Sequence, residues 1–581
     1  MSFLSRIMVV KSRAHFSAGG NNRSGALAGS FEGTRKKNNN QARSRVAILI
    51  GTFGLVYCII GGRLVQYGFA QPEAVSSIAR ADNLMASRPD ILDRNGEILA
   101  TDIRTVSLYA EPHKIVDADE AVEQLATVLP SLNVADIYNK LKSKSRFQWL
   151  RRQLTPKQQS EILALGIPGI GFRPEKRRFY PGGPTASHIV GHVNVDNRGI
   201  AGMERYIDNQ GLADLAAIGM TSDAKMEPVR LSIDLRVQNI MRDVVVNAMT
   251  EFKAQAAGGV VMDAHTGEIL AMVSYPDYDP NRPADGAKEG WMNRMSNGTF
   301  EMGSTFKSFT TAMALDSGKV TLKDSFDARF PIRIGGFTIK DFHGKHRVLS
   351  VPEIFQYSSN IGTAKMADLV GIQAHKEFLT RLGLLTRIPT ELPEIKMPSQ
   401  PREWKKINSI TISFGHGVST TPLQTAVAGA ALMNGGLLIE PTFLPRTLEQ
   451  AEAASTRVIK KSTSDDMRFL FRWNGVKGSG KNARVPGYNV GGKTGTADKV
   501  VNGRYSSGHN FNAFLAGFPI DDPKYVVLTF IDDPRTDKGN GAALAGNTAA
   551  PMVGNIIRRS APLLGVEPKF GDDGSALLVS Y

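Results

Sequence analysis

Two apolar hairpins set far apart along the chain constrain its fold more than any other feature. The first, at 259–273, reads as two apolar strands joined by a polar turn that contains His265 and Gly267. The second places strands at 513–518 and 525–531 about the turn Asp521-Asp-Pro-Lys524, with a further strand around Lys493 just before it. Helical patterns fill the interval at 306–315, 352–370 and 422–432. Strands at both ends with helices between them predict an antiparallel sheet packed by helices, an α+β arrangement. This region, 229–565, has about 330 residues, enough for a sizeable core.

A mixed α/β region, 67–228, precedes it. Its opening at 88–100 carries apolar residues about Asn95-Gly96, a hairpin signal. Helical patterns follow at 119–129, 135–141 and 157–165, then the strings at 178–183, 186–191 and 199–204. No nucleophile–base pair stands out here, so the region reads as a spacer or docking pedestal. The last residues, 566–581, have weak periodicity and form a loosely held tail.

The formal charge of +15 would suit a nucleic-acid binder, but its distribution argues otherwise. Residues 1–45 hold nine Lys/Arg against the single acid Glu32, in a tail rich in Gly, Ser and Asn that reads as disordered. No basic face interleaved with aromatics appears elsewhere. The tail runs into 17 uncharged residues, 46–62, extendable to 66 past Arg63. Arg35, Lys36, Lys37, Arg43 and Arg45 precede this stretch, so it is expected to be one transmembrane helix (46–66) with its N-terminus in the cytoplasm. A cleaved signal sequence, with 68–70 as the cleavage region, and a buried core helix are the competing readings. The only cysteine, Cys58, lies inside the span, which leaves no intramolecular disulfide and no cysteine metal site. The ten histidines form no metal-ligand pair, and His265 and His416 read as structural.

Three strings carry chemistry: Ser304-Thr-Phe-Lys307, Ser358-Ser-Asn360 and Lys493-Thr-Gly-Thr496. Together they supply a nucleophilic hydroxyl, amines able to activate it, a second hydroxyl, an amide and a Gly-bearing strand. That inventory serves acyl transfer through a serine ester. S-x-x-K alone is expected about twice by chance in a chain this long. It recurs as Ser222-Asp-Ala-Lys225, and S-x-N recurs as Ser131-Leu-Asn133. Context separates them. Ser304 opens a run free of Gly and Pro, which puts it at a helix start near unpaired N–H groups, and Lys307 shares its face. Ser222 sits in a linker-like stretch. K-T-G-T occurs once, against a chance expectation on the order of 0.01 per chain, and its glycine suits a strand that a substrate approaches closely.

With these strings the chain resembles the class B penicillin-binding proteins. Asp93-Arg94-Asn-Gly, Gly199-x-x-Gly202-x-Glu204, Phe414-Gly-His-Gly417 and Thr421-Pro-Leu-Gln424 are similar to further marks of that family. No glycosyltransferase domain is read ahead of them, as expected of class B rather than class A. The run Tyr180-Pro…His188…Gly191 resembles division-type (septal) members more than elongation-type ones. Met302 and Pro89 depart from the family's usual proline and glycine. Both departures touch turn geometry and neither removes a catalytic group.

The resemblance implies a septal peptidoglycan D,D-transpeptidase whose transpeptidase domain spans 229–565. Ser304 would attack the carbonyl between the last two D-alanines of a stem peptide, with Lys307 as base, Ser358 as proton relay and Asn360 holding the substrate amide. The positive charge of Lys493 would favour a neutral Lys307. Thr494, Thr496 and Lys493 would bind the terminal carboxylate, with Gly495 on the same substrate-binding strand, and the backbone N–H groups of Ser304 and Thr496 would form the oxyanion hole. A neighbouring stem-peptide amine accepts the acyl group, and β-lactams acylate the same serine. No cofactor, metal or nucleic acid is implied. The implied partners are a SEDS-family glycosyltransferase and other division proteins, docking through the membrane helix and 67–228. The implied location is the inner membrane, with the catalytic domain periplasmic. A class A β-lactamase shares the three strings but needs a deacylating carboxylate, and no Glu-x-x-x-Asn lies between Asn360 and Lys493. An elongation-type transpeptidase, a penicillin sensor and a non-catalytic division scaffold also stay open as readings of the sequence.

Overall fold

The computed structural model describes residues 50–62, 88–212, 226–284, 292–501, 504–535 and 543–570. Met1–Ser77 and Ile78–Tyr581 are separate compact units. In the first, a helix runs over 50–62, with Ile50, Phe53, Leu55, Tyr57 and Ile59 exposed along it. No helix among the described residues is long and apolar enough to cross a membrane. The rest of the 46–66 segment lies outside the described residues, as do the basic tail, Ser222-Asp-Ala-Lys225 and 571–581.

The larger unit opens on the expected hairpin. Ile91–Leu92 pairs antiparallel with the start of Ile98–Ala110, and Asp93 closes the turn by accepting the Asn95 and Glu97 amides at 2.7 and 2.8 Å. The long strand then pairs with Gln148–Leu154 and Ile170–Phe179. Helices Ala118–Val128, Val134–Leu141 and Pro156–Ala164 begin at side-chain caps from Asp117, Asn133 and Thr155. They bury Leu125, Ile137, Leu141 and Ile162 against Leu108, Leu150 and Leu154 of the sheet.

Three strings of the pedestal converge on one buried charge cluster. Arg178, with a fully buried side chain, donates to Glu204 at 2.6 Å, to Asp102 at 3.2 Å and to the Pro89 carbonyl at 2.8 Å. Arg88 donates to the second Glu204 oxygen at 2.9 Å and pairs with Asp208 at 2.5 Å. Burial opposes the charge on Arg178, but Glu204 and Asp102 outweigh it and its pKa is raised. The same segments join the pedestal to the following region. Gly202 N–H donates to the Glu394 carboxylate at 3.3 Å, Asn281 exchanges two hydrogen bonds with the Tyr180 backbone, and Asp93 accepts the Leu235 amide at 3.0 Å. Val229–Arg230 pairs parallel with Ile91–Leu92, so the strands themselves cross the junction.

The two distant hairpins become neighbours in one five-stranded antiparallel sheet. Its order is Gly491–Val501, Arg504–Phe518, Tyr525–Asp532, Ala256–Asp263, Ile269–Tyr275. Val260 and Met262 pack in a core with Phe306, Phe309, Leu423 and Ala426. Ala257 and Val261 face the other way, toward Val237 and Met241 of Leu235–Glu251 and Val553 and Ile557 of Ala549–Ser560. Helices thus cover both faces, which is why these strands read as unbroken apolar runs rather than as alternating ones.

One expected helix needs correction. The pattern at 352–370 is two helices, Val351–Tyr357 and Asn360–Val370, broken at Ser358, whose backbone is left-handed at φ 56, ψ 45. The apolar period carries across the break and hides it. Ser359 makes the break by turning its hydroxyl to cap the second helix at the Gly362 amide, 3.0 Å away.

Candidate active site

The three strings meet where the edge strand Gly491–Val501 passes the helix Phe306–Asp316. Gly303–Thr305 forms a single 3₁₀ turn that leads into that helix, so Ser304 stands at a helix start as expected. The approach of turn and strand is unusually close. A Cβ added to Gly495 would lie 2.2 Å from the Met302 carbonyl oxygen, and one added to Gly303 would lie 2.5 Å from that of Thr496. A third contact seals the floor, since a Cβ on Gly415 would lie 2.0 Å from the Gly303 carbonyl. Only glycine permits this backbone-on-backbone packing. Gly495→Ala is therefore expected to push the Ser304 turn off the strand. A shift of that kind should lower the rate of active-site acylation about 10²-fold and cost about 1–3 kcal/mol of stability as overpacking, as rate and melting measurements on the same variant will read.

The left-handed break places Ser358 between two lysines. Lys307 Nζ and Lys493 Nζ each lie 3.0 Å from Ser358 Oγ, and Lys307 also donates to the Ser358 carbonyl. Neither hydrogen bond of Lys307 goes to Ser304. Both lysine side chains are fully buried. Burial, and then the neighbouring Lys493 charge, drive the Lys307 pKa well below the ordinary lysine range, with Asp341 opposing. Burial brings Lys493 down to about 7. Two amines with lowered pKa values thus flank the Ser358 hydroxyl.

Asn360 opens the second helix and donates to the Lys340 carbonyl at 2.8 Å. Thr494 shares a 2.6 Å hydrogen bond with Ser479, and Thr496 Oγ1 accepts the Ala545 amide at 3.2 Å. Several supporting groups escaped the sequence reading. Asp341 holds the break in place, accepting from Ser359 Oγ at 2.7 Å and the Ile361 amide at 2.9 Å. Glu301, three residues before Ser304, accepts the Gly417 amide at 2.8 Å and the Tyr505 hydroxyl at 3.1 Å. His416 lies beside Tyr505, with ring centroids 5.8 Å apart. Burial lowers its pKa, with Glu301 opposing and Lys307 adding to the effect. The Phe414-Gly-His-Gly417 string was the available signal for His416. Nothing in the sequence pointed to Asp341 or Ser479. His265 sits in its turn, with Nε2 3.0 Å from the Pro523 carbonyl. Among the described residues no group of His, Cys, Asp and Glu could hold a metal ion. The Ser131 of the second S-x-N string is exposed in the pedestal, far along the chain from any lysine pair of this kind.

The family model of the penicillin binding protein transpeptidase domain matches residues 257–557, and that of the penicillin-binding protein dimerisation domain matches 83–211. "Probable peptidoglycan D,D-transpeptidase FtsI" of Caulobacter vibrioides is 37% identical over 541 residues, covering 91% of this chain and 90% of the relative. "Probable peptidoglycan D,D-transpeptidase PenA" of Neisseria meningitidis is 32% identical over 546 residues, 90% and 92% of the two chains. "Stage V sporulation protein D" of Bacillus subtilis is 31% identical over 572 residues, 91% and 87%.

Proposed function

Because the chain belongs to the class B penicillin-binding proteins, we propose that it is a septal peptidoglycan D,D-transpeptidase that crosslinks stem peptides through an acyl-enzyme on Ser304. The observation that carries this reading is the meeting of Lys307 and Lys493 on Ser358 Oγ, at 3.0 Å each, in a site where both amines are buried.

The chemistry follows from proton inventory. A neutral Lys307 takes the Ser304 proton as Oγ bonds to the carbonyl carbon between the last two D-alanines. The backbone N–H groups of Ser304 and Thr496 stabilise the resulting oxyanion, each worth about 3 kcal/mol. The C–N bond then breaks, and the leaving amine needs a proton. A hydroxyl has two lone pairs and one hydrogen. The two lysine contacts fill the lone pairs of Ser358, which frees its O–H to donate to the leaving amine while a lysine replaces the proton. Asn360 retains a second amide hydrogen and its carbonyl oxygen for the substrate amide. Lys493, Thr494 and Thr496 hold the terminal carboxylate, and Gly495 lets the strand that carries them lie against the Met302 carbonyl. An amine of a second stem peptide then attacks the ester carbonyl, and its proton passes through Lys307 to Ser304 Oγ as the C–O bond breaks.

The membrane arrangement belongs to the same proposal. The uncharged 46–62 stretch behind a basic tail and the exposed apolar side chains of the 50–62 helix support a single inner-membrane span. The N-terminus is then cytoplasmic and the catalytic domain periplasmic. A SEDS-family glycosyltransferase and other division proteins would dock on the span and on 67–228.

The lifetime of the adduct with a labelled penicillin tests the reading. The full chain in detergent should hold the label stably. Rapid turnover would instead make it a β-lactam hydrolase, and no labelling would make it a scaffold.

A further inference from the structure

Between the first and second catalytic strings the chain builds a small lobe that the mechanism leaves unused. Ser325–Asp327 pairs with Val348–Ser350 at its base, and Ile332–Ile334 pairs with Phe337–Ile339 above it, through a Gly335-Gly336 turn in which both residues have positive φ. Its inner side is anchored. Ile339 is buried with Ala364, Ile410 and Phe414, and Ile332 and Ile334 pack against them. Its outer side is not. Phe330, Phe337 and Phe342 are 71%, 66% and 77% exposed, and three large aromatics left in water within one short stretch mark an interaction surface.

The charge around these rings is mostly basic. Residues 325–350 contain Arg329, Arg333, Lys340, Lys345 and Arg347 against Asp327 and Asp341, and Asp341 is already engaged by Ser359 and Ile361. Arg329 and Arg347 pair with Asp327 and Glu353. Arg333, Lys340 and Lys345 make no ion pair among the described residues. The lobe is also continuous with the catalytic groups. The Lys340 carbonyl holds Asn360 at 2.8 Å, and the Lys345 ammonium sits 4.8 Å from the ring centre of Tyr357, the residue before Ser358.

Exposed rings beside unpaired cations suit a polymer that offers flat apolar faces and carboxylates together. A glycan strand bearing stem peptides is such a polymer. Its pyranose rings carry C–H faces that lie flat on aromatics, and its peptides end in carboxylates. We infer that the 325–350 lobe is the platform on which a glycan–peptide strand lands, so that its stem peptide is delivered to the Ser304 cleft. This rests on the transpeptidase reading above and adds the polymer contact to it.

The test uses the full chain in detergent, with purified insoluble peptidoglycan as the polymer probe and a labelled penicillin as the small one. Combined Phe330→Ser, Phe337→Ser and Phe342→Ser substitutions should weaken cosedimentation with peptidoglycan about tenfold or more. Penicillin, too small to span the lobe, should still acylate the variant. Wild-type binding should also fall as salt is raised. Undiminished cosedimentation of the triple variant would overturn the inference, and is the result expected if the patch serves a protein partner instead. Loss of penicillin acylation with an unchanged melting temperature would overturn it as well, by making the lobe a brace for Ser358 and Asn360. Failure of the wild-type chain to react with penicillin would strike the transpeptidase reading itself.

Discussion

Lys307→Met should lower the rate constant for acylation by penicillin by roughly 10²–10⁴-fold, the span typical of a lost general base. The substitution nearly conserves volume and leaves an apolar side chain in a fully buried place, so the fold should tolerate it. The pH profile separates loss of a base from loss of packing. As the proposed base Lys307 would work when neutral, and burial plus the Lys493 charge lower its pKa. Acylation by the wild-type protein should therefore rise with pH as the lysine pair loses its proton, and Lys493 itself titrates at about 7. The limb belongs to the pair, since the two amines share Ser358. Lys493→Met removes the neighbouring positive charge, so the Lys307 pKa must rise and the limb must move to higher pH. A stopped-flow series over pH on the three proteins reads both effects. A rising limb that stays in place in Lys493→Met would show that the lysines do not sense each other.

Glu204→Ala should destabilise the larger unit by about 3–5 kcal/mol, the cost of stripping a partner from a buried charge. Among the described residues, Glu204 is the only carboxylate that meets the guanidinium groups of both Arg88 and Arg178. The Arg178 side chain has no exposed surface, and Asp102 alone would have to balance it. The loss should spread beyond the pedestal. Glu204 lies in the helix Gly202–Ile207, whose first amide donates to Glu394 across the junction. The midpoint of urea denaturation of the full chain reads the change, and simultaneous replacement of Arg178 by Met should recover part of it. Equal stability of Glu204→Ala and wild type would mean that water, not protein, already solvates the pair.

Much of the fold was legible because the chain's strongest patterns are local. The strands at 259–273 and 513–531, and the helices at 119–129, 157–165 and 422–432, fall close to their observed places. Their joining into one sheet was inferable because both hairpins are apolar throughout. What escaped depends on long-range contact. The helix break that Ser359 makes is held by Asp341, which grips Ser359 and Ile361 from another part of the chain. Propensity across 352–370 carries no trace of that grip. Arg88, Arg178 and Glu204 were visible as separate strings, yet their union in one ion cluster required the tertiary structure. The glycines were legible as a class and not in detail. Gly495 was expected to admit substrate, whereas its absent side chain first admits the Met302 carbonyl.

In the proposed mechanism Ser304 is the acylated residue and Ser358 its proton relay, although in the structure both lysines hydrogen-bond to Ser358 and neither to Ser304. Peptide mapping by mass spectrometry after brief reaction with penicillin tests it directly. A penicilloyl adduct is expected on the peptide containing Ser304, absent from Ser304→Ala and still formed, more slowly, in Ser358→Ala. An adduct on Ser358, or one that persists in Ser304→Ala, would contradict it.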